Sequence, residues 1–341
     1  PVTRLGPGLG KPDSIEALDY EVNVLPIKLL SAKETGMAFL MFNATGYFPE
    51  ELATEEYQTK VFEDMREHGM TTATVYLHPV IDDKFTLTGR SGKNLAFEQT
   101  MRMLEETDLV AAGLPVIWIG AESYGYPDSR KVWEGVLEAA QENNWPEIVF
   151  YIFDEPENAT QYLRRFMSRI NDFRRKYAQY NLRIMTALGS SRSIQVAGHY
   201  YDVWNGCMAQ RIGESGVIAN AKMQKKELWM YDCMMAPVDA ETDRYFFGVW
   251  AWVSGVKGCA HWAYFAQPHL SYVYPAKDEI IPTIGWEAVR EGIDDYRYLA
   301  TLKQLADRAQ AAGESDLAKG ADKIFEEVKE MVTMDNYGKA Y

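Results

Sequence analysis

Asp154 and Glu155 are neighbouring carboxylic acids. They follow directly on the apolar run Ile148-Val149-Phe150-Tyr151-Ile152-Phe153, and Pro156 stops that run. Adjacent acids at the end of so apolar a segment are costly to bury unless they are paired or used. One of such a pair is encouraged to hold a proton while the other keeps its charge, which is the division of labour that acid–base chemistry needs. The plainer alternative is structural. The two acids would cap and charge the first turn of a helix beginning near residue 159.

The run before the acids reads as a strand buried on both faces, and the rest of the chain repeats that pattern. Strands are predicted at Met37–Asn43, Thr72–His78, Pro115–Gly120, Glu147–Phe153, Leu182–Leu188, Tyr200–Asn205, Leu228–Asp232 and Cys259–Phe265. Helices are predicted at 55–68, 94–112, 129–143, 159–179, 213–225 and 239–256, with further helical segments from about 286, chiefly 299–312 and 317–333. Eight strands alternating with helices predict an α/β protein of (β/α)8 TIM-barrel type. A doubly wound open sheet is the rival, and no G-x-G-x-x-G follows an early strand to support it. Residues 1–36 differ in character. Tyr20–Ile27 reads as a strand, so 1–36 is expected to be an N-terminal β segment, docked on the barrel or the remnant of an upstream β-sandwich. Residues 37–341 would then be the barrel with its helical extension.

In a barrel the C-terminal strand ends form the mouth, where chemistry is found. Those ends offer Asn43, His78, Glu122, Asp154, Glu155, Ser190, Trp204, Asn205, Tyr231, Asp232, Trp262 and Tyr264. Carboxylates, amides and flat rings together suit a sugar, whose hydroxyls need polar partners and whose C–H faces stack on aromatics. His78 precedes Pro79 and reads equally well as a loop histidine. Trp262 and Tyr264 share one face and suit barrel packing as well as a sugar platform.

The 341 residues carry a formal charge of -14, so a nucleic-acid partner is not expected. The basic residues Arg164, Arg165, Arg169, Arg174, Arg175 and Lys176 fall on one helix and read as its solvated face. Cys207, Cys233 and Cys259 sit in or beside apolar runs and read as free thiols. Five scattered histidines show no metal-ligand spacing, so neither metal nor cofactor is expected. No membrane span or signal peptide is recognised. Compartment and oligomeric state stay open, with secretion or a bacterial periplasm as the expectation for the first.

Two stretches resemble a known family. Phe153-Asp154-Glu155-Pro156 is similar to the paired-acid motif of glycoside hydrolase family 123, the β-N-acetylgalactosaminidases and a wide group of related bacterial barrel domains. Tyr272-Val273-Tyr274-Pro275, followed by Trp286-Glu287-Ala288-Val289-Arg290-Glu291-Gly292-Ile293-Asp294-Asp295-Tyr296-Arg297-Tyr298-Leu299, resembles that group's signature beyond the last strand. The resemblance covers about residues 37–305. It implies a β-sandwich followed by a barrel, and substrate-assisted retaining hydrolysis of a β-linked 2-acetamido sugar. Asp154 would polarise the acetamido group and Glu155 would act as general acid and then base. Trp204, Tyr231, Trp262 and Tyr264 would wall the pocket, with Asn43, His78, Glu122, Asn205, Asp232 and Tyr274 as further substrate contacts. Gly285 stands where the group often has arginine, which weakens the transfer of sugar specificity. Two readings compete. One is a retaining glycosidase with Glu155 as acid/base and Asp232 as nucleophile, roughly 5–5.5 Å apart. The other is a barrel that binds an oligosaccharide or glycoconjugate without cleaving it.

Overall fold

The computed structural model describes residues 2–3, 15–16, 26–43, 47–76, 90–91, 95–120, 129–158, 160–207, 214–233, 239–267 and 270–332. Eight parallel strands form one sheet: β1 (Ala38–Met41), β2 (Thr74–Tyr76), β3 (Val116–Ile119), β4 (Ile148–Tyr151), β5 (Ile184–Leu188), β6 (Val203–Cys207), β7 (Glu227–Asp232) and β8 (Gly258–His261). Their order is β1-β8-β7-β6-β5-β4-β3-β2, so the last strand pairs with the first, Gly258 opposite Ala38. Only the seam between β1 and β2 lacks a regular ladder, and threonines bridge it. Thr71 N–H and Thr72 N–H donate to the Phe39 carbonyl at 3.0 and 3.3 Å. The Thr71 hydroxyl accepts from Phe39 N–H at 2.8 Å and donates to Met37 O at 2.7 Å, and the Thr74 hydroxyl accepts from Asn43 N–H at 3.0 Å. These bonds satisfy backbone groups that a gap would leave orphaned. The protein is a (β/α)8 TIM barrel.

The strands sort their residues onto two faces. Leu40, Phe42, Ile117, Val149, Tyr151, Met185, Val203, Cys207, Trp229, Tyr231 and Ala260 pack together inside the barrel. Phe39, Met41, Val75, Trp118, Phe150, Leu188, Trp204, Met230 and Cys259 pack outward against the helices. Gly258 admits Trp229 to the interior: a Cβ there would lie 2.3 Å from the indole.

The helices are α1 (Glu55–Glu67), α2 (Phe97–Glu106), α3 (Ser129–Glu142), α4 (Gln161–Lys176), α5 (Ser191–Ala197), α6 (Glu214–Met223), α7 (Ala240–Tyr245), α8 (Ala251–Ser254), α9 (Ile284–Ala311) and α10 (Ser315–Met331). Helix α4 buries Leu163, Phe166, Met167, Ile170 and Phe173 and leaves Arg164, Arg165 and Arg169 exposed, a solvated face. A hairpin of β9 (Val273–Pro275) and β10 (Ile280–Pro282) precedes α9. The single helix predicted over 239–256 is broken instead. Phe246–Trp250 is π-helical between α7 and α8, and Gly248 takes non-helical angles, φ −101° and ψ −108°. The break lets two chains touch: a Cβ on Gly248 would meet the Gly292 carbonyl at 2.9 Å, and one on Gly292 the Arg244 carbonyl at 2.4 Å. Strand β6 begins three residues later than predicted. The Asp202 carboxylate accepts from Ile184 N–H at 2.8 Å, and Gly198–Tyr200 forms a 3-10 turn. The predicted strand Tyr20–Ile27 lies outside the described residues up to residue 25.

Trp286, Glu287, Gly292 and Asp295 of the signature segment hold α9 to the barrel, while Arg290 pairs within the helix. Trp286 Nε1–H donates to Asp64 Oδ2 at 2.9 Å, and the Tyr264 hydroxyl donates to the same oxygen at 2.7 Å. Arg290 pairs with Glu287 at 2.7 Å, and Arg244 pairs with Asp295 at 2.7 Å. His68 stacks on Trp286 with centroids 4.5 Å apart, its Nδ1 3.3 Å from Asp64 and its Nε2 3.6 Å from Glu287. Burial alone would lower the His68 pKa, but the Asp64 carboxylate and carbonyl, with Glu287, outweigh it and raise it above the usual value. A raised folded-state pKa contributes stability that is fully present below the ordinary histidine pKa and lost as pH rises through the folded value. The urea midpoint is therefore expected to fall as pH is raised through that window, and His68→Gln should flatten the fall. An equal fall in the variant would show that another group is responsible.

Candidate active site

The site begins where β4 parts from β5. The ladder runs as far as Ile152 N–H, which donates to Met185 O at 2.9 Å. Beyond it the chain turns sharply. Phe153 and Glu155 both have left-handed backbone angles, φ 55° and 41°. Such angles cost side-chain-bearing residues free energy and persist only where the surroundings impose them. Here the Phe153 ring is held by Phe166 and Tyr162, at 5.1 and 5.5 Å between centroids, and the Thr186 hydroxyl donates to the Phe153 carbonyl. The turn lifts Asp154 and Glu155 out of the strand as exposed residues.

Each acid is gripped by a tyrosine of the barrel interior. The Tyr151 hydroxyl donates to Asp154 Oδ1, and the Tyr231 hydroxyl donates to Glu155 Oε1. Tyr151 also accepts from Ala187 N–H at 3.1 Å, filling the place where the β4–β5 ladder stops. Asp154 is exposed as a residue, yet its carboxyl end is set against Tyr151 and Tyr76. Burial is the leading influence on it and raises its pKa, the Glu155 charge adds to that, and the hydrogen bonds from Tyr151 and from Glu155 N–H oppose it. The charged form that the acetamido-polarising role requires of Asp154 is thus opposed by its burial. Burial first, and then the Asp154 charge, drive the Tyr76 and Tyr151 hydroxyls far above the usual phenol range; burial, with Cys207 and Glu155, does the same to Tyr231. All three hydroxyls therefore stay protonated, and those of Tyr151 and Tyr231 are the donors to the acids.

An aromatic rim adjoins the acids. Trp262 lies 6.0 Å from Phe42, 6.1 Å from Tyr76 and 6.2 Å from Tyr47, and Phe42 lies 6.2 Å from Tyr151. Trp262 is partly exposed and Tyr47 is 50% exposed, so part of each ring reaches solvent beside the acids. Trp262–Ala263 is a cis peptide.

Not every expected site residue joins this group. Trp204 faces outward, fully buried, and its indole N–H donates to Gly198 O at 2.9 Å. Tyr264 is also fully buried, edge-on to Trp286 at 5.5 Å. Neither can wall a ligand pocket, and both are corrected to packing residues. Asp232 is 1% exposed and lies on the outward side of β7. It acts there on His261, whose pKa burial lowers to about 4, and on Asp243 and Tyr272. A nucleophile needs to reach the anomeric carbon, and this burial denies Asp232 that access. Asn205 is mid-strand, pointing inward below the mouth, fully buried and without a partner for its amide among the described residues. The Asn43 amide is buried likewise. Tyr274 is exposed opposite Ile281 on the β9–β10 hairpin, which Tyr57 ties to α1 through Glu279 O at 3.3 Å. Tyr231 does sit at the site, as a hydrogen-bond donor and not as a stacking wall. His78 and Glu122 lie outside the described residues. Tyr47, Tyr76, Phe42 and Tyr151 were missed. Tyr151 had a legible signal, since it is two residues from Val149 on the inward face. Among the described residues no group of three or more His, Cys, Asp or Glu is placed to hold a metal ion.

Known structures share the fold. The chain is similar to Saccharomyces cerevisiae Gas2: a complex with a small compound matches at TM-score 0.50 and 10% identity over 78% of this chain and 68% of that one. Gas2p with laminaripentaose matches at TM-score 0.50 and 11% identity, over 76% and 64%. A glutamate-to-glutamine variant of Gas2p with laminaritetraose and laminaripentaose matches at 0.50 and 10%, over 76% and 63%. The chain thus spans about two thirds of the length of these proteins. At this identity the likeness is one of fold. No protein-family model and no curated protein matches the sequence, so the family 123 resemblance stands on the quoted motifs alone.

Proposed function

We propose that the protein is a glycoside hydrolase acting on an oligosaccharide or glycoconjugate, with Asp154 and Glu155 as its catalytic pair. The carrying observation is that two adjacent carboxyls stand at a barrel mouth, each bonded to an inward tyrosine, beside partly exposed aromatic rings. Glu155 donates a proton to the leaving oxygen and recovers it from water. Asp154 stays charged and steadies the positive charge that develops on the sugar. Hydrolysis by this pair needs no third carboxylate, which agrees with the burial of Asp232. That leaves the nucleophile to the substrate and supports a 2-acetamido sugar, as the motif resemblance implies. The laminari-oligosaccharides bound by Gas2 support an oligosaccharide ligand in a barrel of this shape.

A thiazoline analogue of the bicyclic intermediate separates the two chemistries. Strong competitive inhibition is the expected result. Indifference to it, in an enzyme that does cleave glycosides, would remove substrate assistance and leave the glycosidase reading standing. Activity should also decline on the acid side at a higher pH than an ordinary aspartate would give, because Asp154 must lose its proton to work and its pKa is raised. Trp262→Ala should weaken oligosaccharide binding by about 2- to 10-fold, the loss of one stacked ring at 0.5–1.5 kcal/mol. Calorimetric titration of the catalytically silent Glu155→Gln background with and without that change measures it; unchanged affinity would take Trp262 out of the binding surface.

A further inference from the structure

We propose that Tyr151 is a positioning residue for Asp154: its hydroxyl, held by the Ala187 N–H, aims its single proton at the Asp154 carboxylate and favours the charged form. The inference rests on the carboxylate-pair reading above and deepens it.

A phenol has one proton to give and lone pairs to receive. Ala187 N–H donates into the Tyr151 oxygen at 3.1 Å, so one acceptor position is occupied by a rigid strand group. The O–H is then directed at Asp154 Oδ1. The arrangement exists because β4 leaves β5 after Ile152, freeing an N–H that an unbroken ladder would have given to a β4 carbonyl. A single substitution site thus serves the sheet edge and the acid pair together. The groups that face Asp154 are Tyr151 on β4, Tyr76 on β2 and Glu155 beside it, with Glu155 N–H bonding back to the carboxylate. Those that face Glu155 are Asp154 beside it, Tyr231 on β7 and Cys233 just after that strand, with Cys207 of β6 behind Tyr231. Among the described residues no lysine or arginine is one of the groups acting on Asp154. In a setting that pushes its proton affinity up, the Tyr151 hydroxyl is the side chain that favours the anion. Without it, Asp154 holds its proton more readily and is less available as the anion that steadies a cationic sugar.

Carbon-13 carboxyl NMR of the whole chain, with Asp154→Asn and Glu155→Gln spectra for assignment, tests this without any substrate. In Tyr151→Phe the Asp154 midpoint is expected to rise by about one unit, the scale of one lost charge-assisted hydrogen bond. Incorporation of 3-fluorotyrosine at position 151, nearly the same shape but a stronger donor, should move it the opposite way. A merely structural tyrosine would not give shifts of opposite sign. If Tyr151→Phe does not fold, the fluorinated protein carries the test alone. An Asp154 midpoint that stays put in the fluorinated protein, or in Tyr151→Phe, overturns the proposal. Because the readout is a titration, it holds even if no glycoside is cleaved. Where one is, the acid limb of kcat/KM should follow the same two shifts.

Discussion

Glu155→Gln is expected to slow hydrolysis of an unactivated oligosaccharide by about 10²–10⁴-fold, the usual worth of a positioned proton donor. The substitution keeps the shape of the side chain, and its amide oxygen still accepts from the Tyr231 hydroxyl. Glu155 is exposed, so the fold should not suffer. What disappears is the proton. The loss should therefore depend on the leaving group. A dinitrophenyl glycoside departs as a stable anion without protonation, and its first step should be nearly spared. Asp154→Asn should behave differently, failing on both substrates, because the sugar becomes cationic whichever group leaves. Paired kcat/KM measurements, which report the first step, on the two substrates in the two variants distinguish the roles. Equal losses on both substrates in Glu155→Gln would remove its assignment as acid. The reverse pattern, with Asp154→Asn rescued by the good leaving group, would exchange the two roles.

Asp64→Ala is expected to destabilise the fold by roughly 2–6 kcal/mol, since two fully buried donors lose their acceptor at about 1–3 kcal/mol each. Those donors are Tyr264 O–H and Trp286 Nε1–H, on the last barrel segment and on α9, while Asp64 belongs to α1. Three separate pieces of chain are thus joined at one carboxylate, with His68 stacked above. Asp64→Asn should cost less, because its amide oxygen still accepts. Denaturant unfolding followed by tryptophan fluorescence gives the comparison. A change within about 0.5 kcal/mol, the range of ordinary surface substitutions, would contradict the role given to this junction.

The parts of the protein that were legible from sequence are those governed by local rules. Apolar runs bounded by turn residues located all eight strands, because a strand buried on both faces admits little else. The acid pair was legible because two carboxyls cannot end such a run without consequence. The errors share one cause. Trp204, Tyr264 and Asp232 were assigned to the mouth by nearness to strand ends, but side-chain direction alternates, and a shift of one residue turns a group from the interior to the helix layer. Once Val149 and Tyr151 are known to face inward, Tyr231 follows by register along β6 and β7, and its neighbour Asp232 must face out. The break at Gly248 depends on its contact with Gly292 in a distant helix, which no local pattern encodes. The signature around Trp286 was legible as a likeness, but its residues bond to Asp64 and Arg244. What it records is how α9 is fastened, and for this reason the absence of arginine at Gly285 does not touch the acid pair.

The most direct test of the central claim is product formation from a panel of β-linked 2-acetamido and unsubstituted oligosaccharides, with wild type and Glu155→Gln assayed side by side for released reducing ends. New reducing ends in the wild type and none above background in the variant are the predicted result. Binding of the same sugars with no product from either protein, or equal product from both, would contradict catalysis at these two acids.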